Sequence, residues 1–359
     1  MIGKCEMRKL VSIRKIDEIR PIEGADAIEC AVVGGWTVVV KKGEFQVGDA
    51  GVYFEIDSFL PESDSRYAFL MENGVREFEG VRGHKLSTVK LRGQLSQGLI
   101  LPLGYVNNTL FPEIWKYLMD HKFDVVSPFE TDFSELLGIK KWEAPVSAQL
   151  RGQVRGNFPA EVPKTDQERI QNLKSEFEEW KDAGLLFEVT EKLDGSSCTM
   201  YLDMKNDFHV CSRNLDLKPD DKNSFWKAAK KYDVENRLKY HGLEGLAIQG
   251  ELIGEGIQSN RYGISGQEFY VFDIYDTKSG KYLSPEHRYG ICSLLGLNHV
   301  PVVATKLITA KDISNILVEA EGKSLLNECE REGLVWKCLN DTSISFKTIS
   351  NRWLLKNKE

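Results

Sequence analysis

Lys192 closes the apolar run L-L-F-E-V-T and is followed at once by an aspartate and a glycine in E-K-L-D-G-S-S (191–197). Read as a strand of period two, the run puts Phe187, Val189 and Glu191 on one face and Glu188, Thr190 and Lys192 on the other. The lysine therefore leaves on the polar side, and Asp194-Gly195 turns the chain behind it. Glycine at 195 removes side-chain bulk where a ligand could reach the backbone. A primary amine so placed suits nucleophilic chemistry. An ordinary polar turn explains it as well, since K-x-D-G arises by chance in roughly one chain in ten of this size.

Four further stretches place functional groups on single faces of expected strands. In L-A-I-Q-G-E-L-I-G, Gln249 and Glu251 share a face; in E-F-Y-V-F-D-I-Y, Tyr270 and Phe272 line up. In E-G-L-V-W-K, Val335 and Lys337 project together with Glu332 just before the strand; in S-I-S-F-K-T-I-S, Ser343, Ser345 and Lys347 oppose Ile344 and Phe346. Each alone reads as the solvated face of a sheet. Together they offer lysines, carboxylates and an aromatic platform, a set suited to a nucleoside triphosphate.

The surrounding chain must position these groups. Its 359 residues suffice for about two domains, and 42% hydrophobic with 28% charged residues is an ordinary globular composition. No apolar run approaches the ~20 residues of a membrane span. The first residues interleave charge with every apolar position, unlike a secretory signal. Seven scattered cysteines without a C-x-x-C pair argue against a disulfide framework or zinc ribbon and fit a reducing, cytoplasmic setting. The six histidines show no metal-ligand spacing. A net charge of −7 means that nucleic acid would need a local basic face.

Residues 1–135 read as a small β domain. G-G-W-T-V-V-V-K-K and A-G-V-Y-F-E-I-D are short strands with Gly-rich turns, and K-L-S-T-V-K-L-R-G with Q-G-L-I-L-P-L supplies another pair. A small barrel such as an OB-fold fits, with a compact sandwich as the alternative. E-I-W-K-Y-L-M-D-H suggests a helix, and residues 136–160 read as a linker. Residues 161–359 mix strands with helices. Thr165 or Asp166 is expected to cap a helix, N-S-F-W-K-A-A-K-K-Y-D-V-E-N-R-L-K-Y reads as one basic helix, and 284–297 and 310–322 each hold a helix. The expected class is α+β: an amino-terminal β-barrel, then antiparallel sheets with flanking helices.

K-L-D-G, S-R-N (212–214), G-E-L-I-G, F-Y-V-F-D-I-Y, E-G-L-V-W-K and S-F-K-T-I-S stand in the order of the motifs of the covalent nucleotidyltransferases, which the chain resembles over 165–353. That superfamily comprises DNA ligases, RNA ligases and messenger-RNA capping enzymes. DNA ligases and capping enzymes carry an OB domain after the last motif, whereas this chain ends about a dozen residues beyond Lys347. Its leading segments D-A-I-E-C-A-V-V-G-G-W, F-E-I-D-S-F-L-P and S-Q-G-L-I-L-P, with T-D-Q-E-R-I-Q-N before the lysine, resemble nick-sealing ATP-dependent RNA ligases instead.

The resemblance implies ATP as AMP donor, Mg2+ or Mn2+, and RNA ends as substrate, in a nicked duplex handled by a monomer. Lys192 is then the nucleophile on the α-phosphorus, releasing pyrophosphate and forming lysyl-N–AMP. AMP passes to an RNA 5′-phosphate, and a 3′-OH displaces it. By the same resemblance Asp194 holds the ribose or leaving-strand region or aids the later steps, and Arg213 contacts ribose or the acceptor phosphate. Glu251 and Glu332 order metal, water and ribose, Phe272 stacks on adenine, Lys347 grips the α-phosphate, and Arg169 reaches the outer phosphates. Glu191, Gly195 and Lys337 complete the nucleotide-binding set. One departure stands out: related ligases often have two lysines in the last motif, and here the first is Ser345, so either Lys347 performs both duties or Lys337 compensates.

Chemistry supplies an independent reason for the metal. At a pKa near 10.4 only roughly a few lysines in ten thousand are neutral at pH 7, and carboxylates nearby disfavour the amine further. A divalent ion on those carboxylates reverses the field. Positive charge in 218–232 and 351–358, interleaved with aromatics, suits phosphate tracking, and a solvated helix face explains the first stretch equally well. The competing functions are a DNA ligase or capping enzyme of the same superfamily, and a catalytically silent OB protein that binds nucleic acid.

Overall fold

The computed structural model describes residues 8–121, 127–129, 131–143 and 152–357. The chain divides into two compact units, Met1–Pro145 with Leu354–Glu359, and Val146–Trp353. The expected linker lies partly outside the described residues.

In the first unit the strand Ala50–Phe54 pairs antiparallel with Val11–Lys15 and Leu99–Pro102. Its alternation divides two cores: Val52 and Phe54 join a cluster with Phe111 and Ile114, while Tyr53 packs with Trp36, Val38 and Ile100 on the other side. Glu18–Pro21, Ile28–Val33 and Trp36–Lys41 form an antiparallel meander over the second core. A further sheet joins Lys140–Lys141, Ser58–Pro61, Val81–Lys85 and Arg76–Phe78. The expected helix is Pro112–Asp120, started by proline at a position where no N–H is needed.

Among its described residues the second unit holds two sheets. An eight-stranded one runs through Ser196–Leu202, Leu246–Gly254 and Gln267–Asp276. A four-stranded one has Leu186–Lys192 between Val302–Leu307 and Gly333–Cys338, with Ser345–Ile349 at the far edge. The apolar face of the four-stranded sheet is an aromatic ladder: Trp336 stacks on Phe346 at 5.6 Å, and Phe346 on Trp180 at 5.5 Å. Fully burying rings of this size contributes on the order of 3 kcal/mol each, so the ladder fixes which face the polar residues take.

Local expectations needed correction in two places. No helix starts at Thr165 or Asp166: Thr165 hydrogen-bonds Ser197 and Asp166 holds Arg213, so the polar groups that would cap a helix are engaged elsewhere. A 3-10 turn, Ile170–Asn172, and a helix, Lys174–Asp182, follow. The basic segment is two helices, Ser224–Lys231 and Val234–Tyr240, because Asp233 takes a left-handed conformation at φ 51°. The helices at Pro285–Leu295 and Ile313–Glu319 start on the caps Ser284 and Asp312.

Candidate active site

Lys192 ends the central strand of the four-stranded sheet, opposite Gly333. Thr190, Val335 and Lys347 form one cross-strand row on this face, and Glu188, Lys337 and Ser345 the next. The polar face inferred from alternation is therefore real, and it gathers Lys192, Lys337 and Lys347. Glycine is required at 333, since a Cβ there would meet the Thr348 carbonyl oxygen at 2.2 Å. That close crossing sets Glu332 at the strand's mouth, where Oε2 accepts from Lys192 Nζ at 2.7 Å.

The eight-stranded sheet brings Glu251. It pairs in register with Ser197 and Tyr270, and lies close enough to Lys192 for the two charges to interact. Burial alone depresses the Lys192 pKa, but Glu332, Glu251 and Asp194 outweigh it and the net shift is upward. Burial pushes Glu251 up to about 8, aided by Glu332 and Asp194 and opposed by Lys192. An amine held charged by carboxylates is a poor nucleophile, so this cluster suits a divalent cation. Among the described residues no three ligating side chains converge to hold an ion alone. Two glutamates fit a largely hydrated ion that shares its remaining positions with phosphate.

Gly195 stands three residues beyond Lys192 for a reason different from the one expected. A Cβ there would meet the Leu252 carbonyl oxygen at 2.4 Å, so strand crossing, rather than ligand approach, demands the glycine. The Asp194 backbone N–H donates to the Tyr262 hydroxyl at 2.7 Å, and its carboxylate lies 3.2 Å from Arg261. Sequence reasoning missed both partners. They sit on a loop after Leu246–Gly254, where only the coincidence of Arg and Tyr with a Gly-rich turn could have hinted at them.

Phe272 is the extra residue of a β-bulge: Gln249 pairs with Asp273 and Gly250 with Val271, leaving 272 unmatched. Its ring packs with Tyr270 against an apolar cluster of Leu193, Ile253, Tyr262 and Val300, in which Leu193 directly follows Lys192. The freed Phe272 carbonyl accepts from Lys337 Nζ, which also meets Asp273 at 2.8 Å. Burial lowers the Lys337 pKa to about 8. Lys337 is thus anchored at Phe272, with Nζ 5.9 Å from the ring centroid. Asp273, Arg288, Glu188 and His299 continue this buried network, in which burial and the Arg288 charge lower the His299 pKa to about 3.

The remaining residues divide. Arg169 forms a parallel bridge with Lys347, whose N–H donates to the Glu168 carbonyl at 2.8 Å, so these two belong together. Arg213 is half-exposed and grips Asp166 at 2.7 Å. Glu191, assigned to nucleotide binding, points its side chain away from Lys192: it is 1% exposed and accepts from the Leu325 N–H at 2.8 Å. Strand alternation makes it an anchor for the 324–325 turn. The basic helices offer less free charge than their sequence implies, because Lys230, Lys231 and Lys239 pair with Asp221, Glu268 and Glu235.

A lysine at a sheet's mouth, ringed by carboxylates beside an aromatic shelf, is the arrangement of a nucleotidyltransferase that works through a covalent lysine. Residues 10–103 match a family model described as an OB-fold domain, and residues 186–354 one described as RNA ligase. Naegleria gruberi RNA ligase with pyrophosphate is 45% identical, with 98% of this chain and 99% of that chain covered at a TM-score of 0.87. Variants of the same ligase with AMP and Mn, and with ATP and Mn, match at the same identity, coverage and TM-score. No curated protein gives a significant match. The chain belongs to the RNA ligase family, with an amino-terminal OB-fold and a nucleotidyltransferase domain.

Proposed function

We propose that the protein is an ATP-dependent RNA ligase that seals 3′-OH and 5′-phosphate ends, with Lys192 as the temporary carrier of AMP. The observation that carries the reading is the 2.7 Å contact of Lys192 with Glu332 on the face shared with Lys347. The family supplies the reaction class, and the Naegleria gruberi ligase with ATP, AMP and Mn supports the donor and a divalent ion.

In this reading the Lys192 amine forms a bond to the α-phosphorus of ATP as the bond to the bridging oxygen breaks and pyrophosphate leaves. Lys347 and Arg169 neutralise phosphate charge, and Phe272 supports the adenine. Asp194, held by Arg261, faces the RNA end in the later steps, with Arg213 at the ribose or acceptor phosphate. Glu251 and Glu332 would hold Mg2+ or Mn2+, which supplies positive charge that favours the neutral amine and stabilises phosphate oxygens. Lys337 acts from its anchor at Phe272, which leaves Lys347 alone in the last motif. A nicked RNA duplex as substrate, a monomeric enzyme and a reducing, cytoplasmic setting complete the proposal; six described cysteines are free thiols, in keeping with the last.

Incubation with α-labelled ATP and Mn2+ tests it. The wild-type protein should take up label, and Lys192→Ala should not, yet still seal an RNA end already carrying AMP. Label on the variant would assign the nucleophile elsewhere. Label from GTP in place of ATP would favour a capping enzyme.

A further inference from the structure

Residues 80–112 contain no aspartate or glutamate, although the chain has 54. At the average density about five would fall in that span. The same stretch holds Arg82, Lys85, Lys90 and Arg92. Arg82 pairs with Glu62 at 3.2 Å, and Lys85 is buried 3.8 Å from Asp57. Lys90 and Arg92 differ: both are exposed, and neither forms an ion pair with any described residue.

These two cations ride on a hairpin. Val89–Leu91 pairs with Gln94–Ser96, and Arg92-Gly93 is a two-residue turn with φ of 48° and 85°. The root is tied to the strand Trp36–Lys41. Thr37 Oγ1 donates to the Leu95 carbonyl at 3.2 Å, the Val39 N–H donates to Ser96 Oγ at 2.9 Å, and the Gln97 N–H donates to the Thr37 carbonyl at 2.8 Å. Residues 90–93 stand exposed at the tip, including Leu91 at 44%. A turn with positive φ at both central positions favours Asn-Gly, and a long side chain at the first is disfavoured. Strain of this kind persists where the side chain has work to do. Arg92 makes no ion pair that would reward its position within the described residues.

We propose that this hairpin tip grips the sugar–phosphate backbone of the RNA being joined, with Lys90 and Arg92 each on a phosphate. With no acidic residue along 80–112 and no ion pair to either side chain among the described residues, the two charges are uncompensated, as a polyanion requires. The exposed Leu91 between them covers apolar sugar surface. The proposal rests on the RNA-ligase reading above, and it gives the OB-fold unit a direct part in substrate binding.

The test is fluorescence anisotropy of a labelled nicked RNA duplex with the full-length protein, titrated between about 50 and 200 mM salt. The Lys90→Ala/Arg92→Asn double variant should bind on the order of tenfold more weakly at the lowest salt, and its log affinity against log salt should be shallower by about two. Arg92→Asn alone should keep or raise the melting temperature, because asparagine suits the turn, while the slope falls by about one. An unaltered slope in the double variant overturns the proposal. A wild-type protein that binds no RNA strikes the RNA-ligase reading itself and the proposal with it.

Discussion

Arg261 Nη1 lies 3.2 Å from Asp194 Oδ2, with its guanidinium 5.5 Å over the Trp353 ring. Both charged side chains are nearly buried, and Asp194 stands two residues from Lys192. Asp194 is one of the carboxylates that stabilise charged Lys192, and a fixed cation beside it limits that effect while locking the carboxylate's direction. Arg261→Ala should slow sealing of a pre-adenylylated nick by about tenfold or more, as measured in single turnover. Arg261→Lys should recover only part, since an ammonium keeps charge but not the planar stack over indole. Full activity in Arg261→Ala would make the pair purely structural.

Glu251 carries the clearest pH signature. With its pKa raised to about 8 in the metal-free protein, it is mostly protonated at pH 7 and must lose that proton to ligate a cation. Mn2+ affinity should therefore fall as pH drops below about 8, by up to tenfold per unit. Glu251→Gln should bind the ion weakly with a flatter pH profile. Calorimetry in buffers of different ionisation enthalpy would count the released proton. The sign for stability is opposite to that of a salt-bridged acid. Between the ordinary value of 4.5 and about 8 the folded state holds a proton that the unfolded chain has released, so metal-free stability should decline as pH rises through this window.

Gly333→Ala tests the crossing that separates Glu332 from Lys347. Its Cβ would press on a backbone oxygen that cannot rotate away. The expected result is a cost of about 1–3 kcal/mol, seen as a melting temperature lowered by several degrees. AMP attachment should fall further than stability alone explains, because the strand pair carries Lys337 and Lys347, both in the proposed site. Wild-type labelling with an unchanged melting temperature would mean that the strands part without cost.

Lys337 and Lys347 should separate by phenotype. Lys347→Ala should impair both AMP attachment and transfer, through lost phosphate contact. Lys337→Met removes the cation that binds Asp273 and the Phe272 carbonyl, leaving Asp273 with Arg288 at 3.9 Å. It should raise the KM for ATP more than it lowers kcat, together with a lower melting temperature. Equal losses in both kinetic constants, with stability intact, would instead put Lys337 on the reacting phosphate.

Much of this site is written in local pattern. Alternation over 186–192, 333–338 and 345–349 assigns Lys192, Lys337 and Lys347 to one face because pleating has a period of two whatever the neighbours are. The apolar residues between them, Val189, Trp336 and Phe346, dictate which face is buried. Motif order then carries the family and the proposal of Lys192 as nucleophile. Three things are not local. Phe272 is aimed by a bulge that exists only against Gly250, and Arg261 meets Asp194 from 67 positions away. Glu191 was read as part of the nucleotide-binding set, yet it accepts from the Leu325 N–H 134 positions away, and of the basic stretch, which suited phosphate tracking and a solvated face equally, Lys231 is taken by Glu268. The sequence determined which chemistry was available, since residue type and spacing survive translation into strands. Tertiary structure decided which charge compensates which, because Coulomb energies and burial depend on distance in space, and no spacing along the chain encodes that.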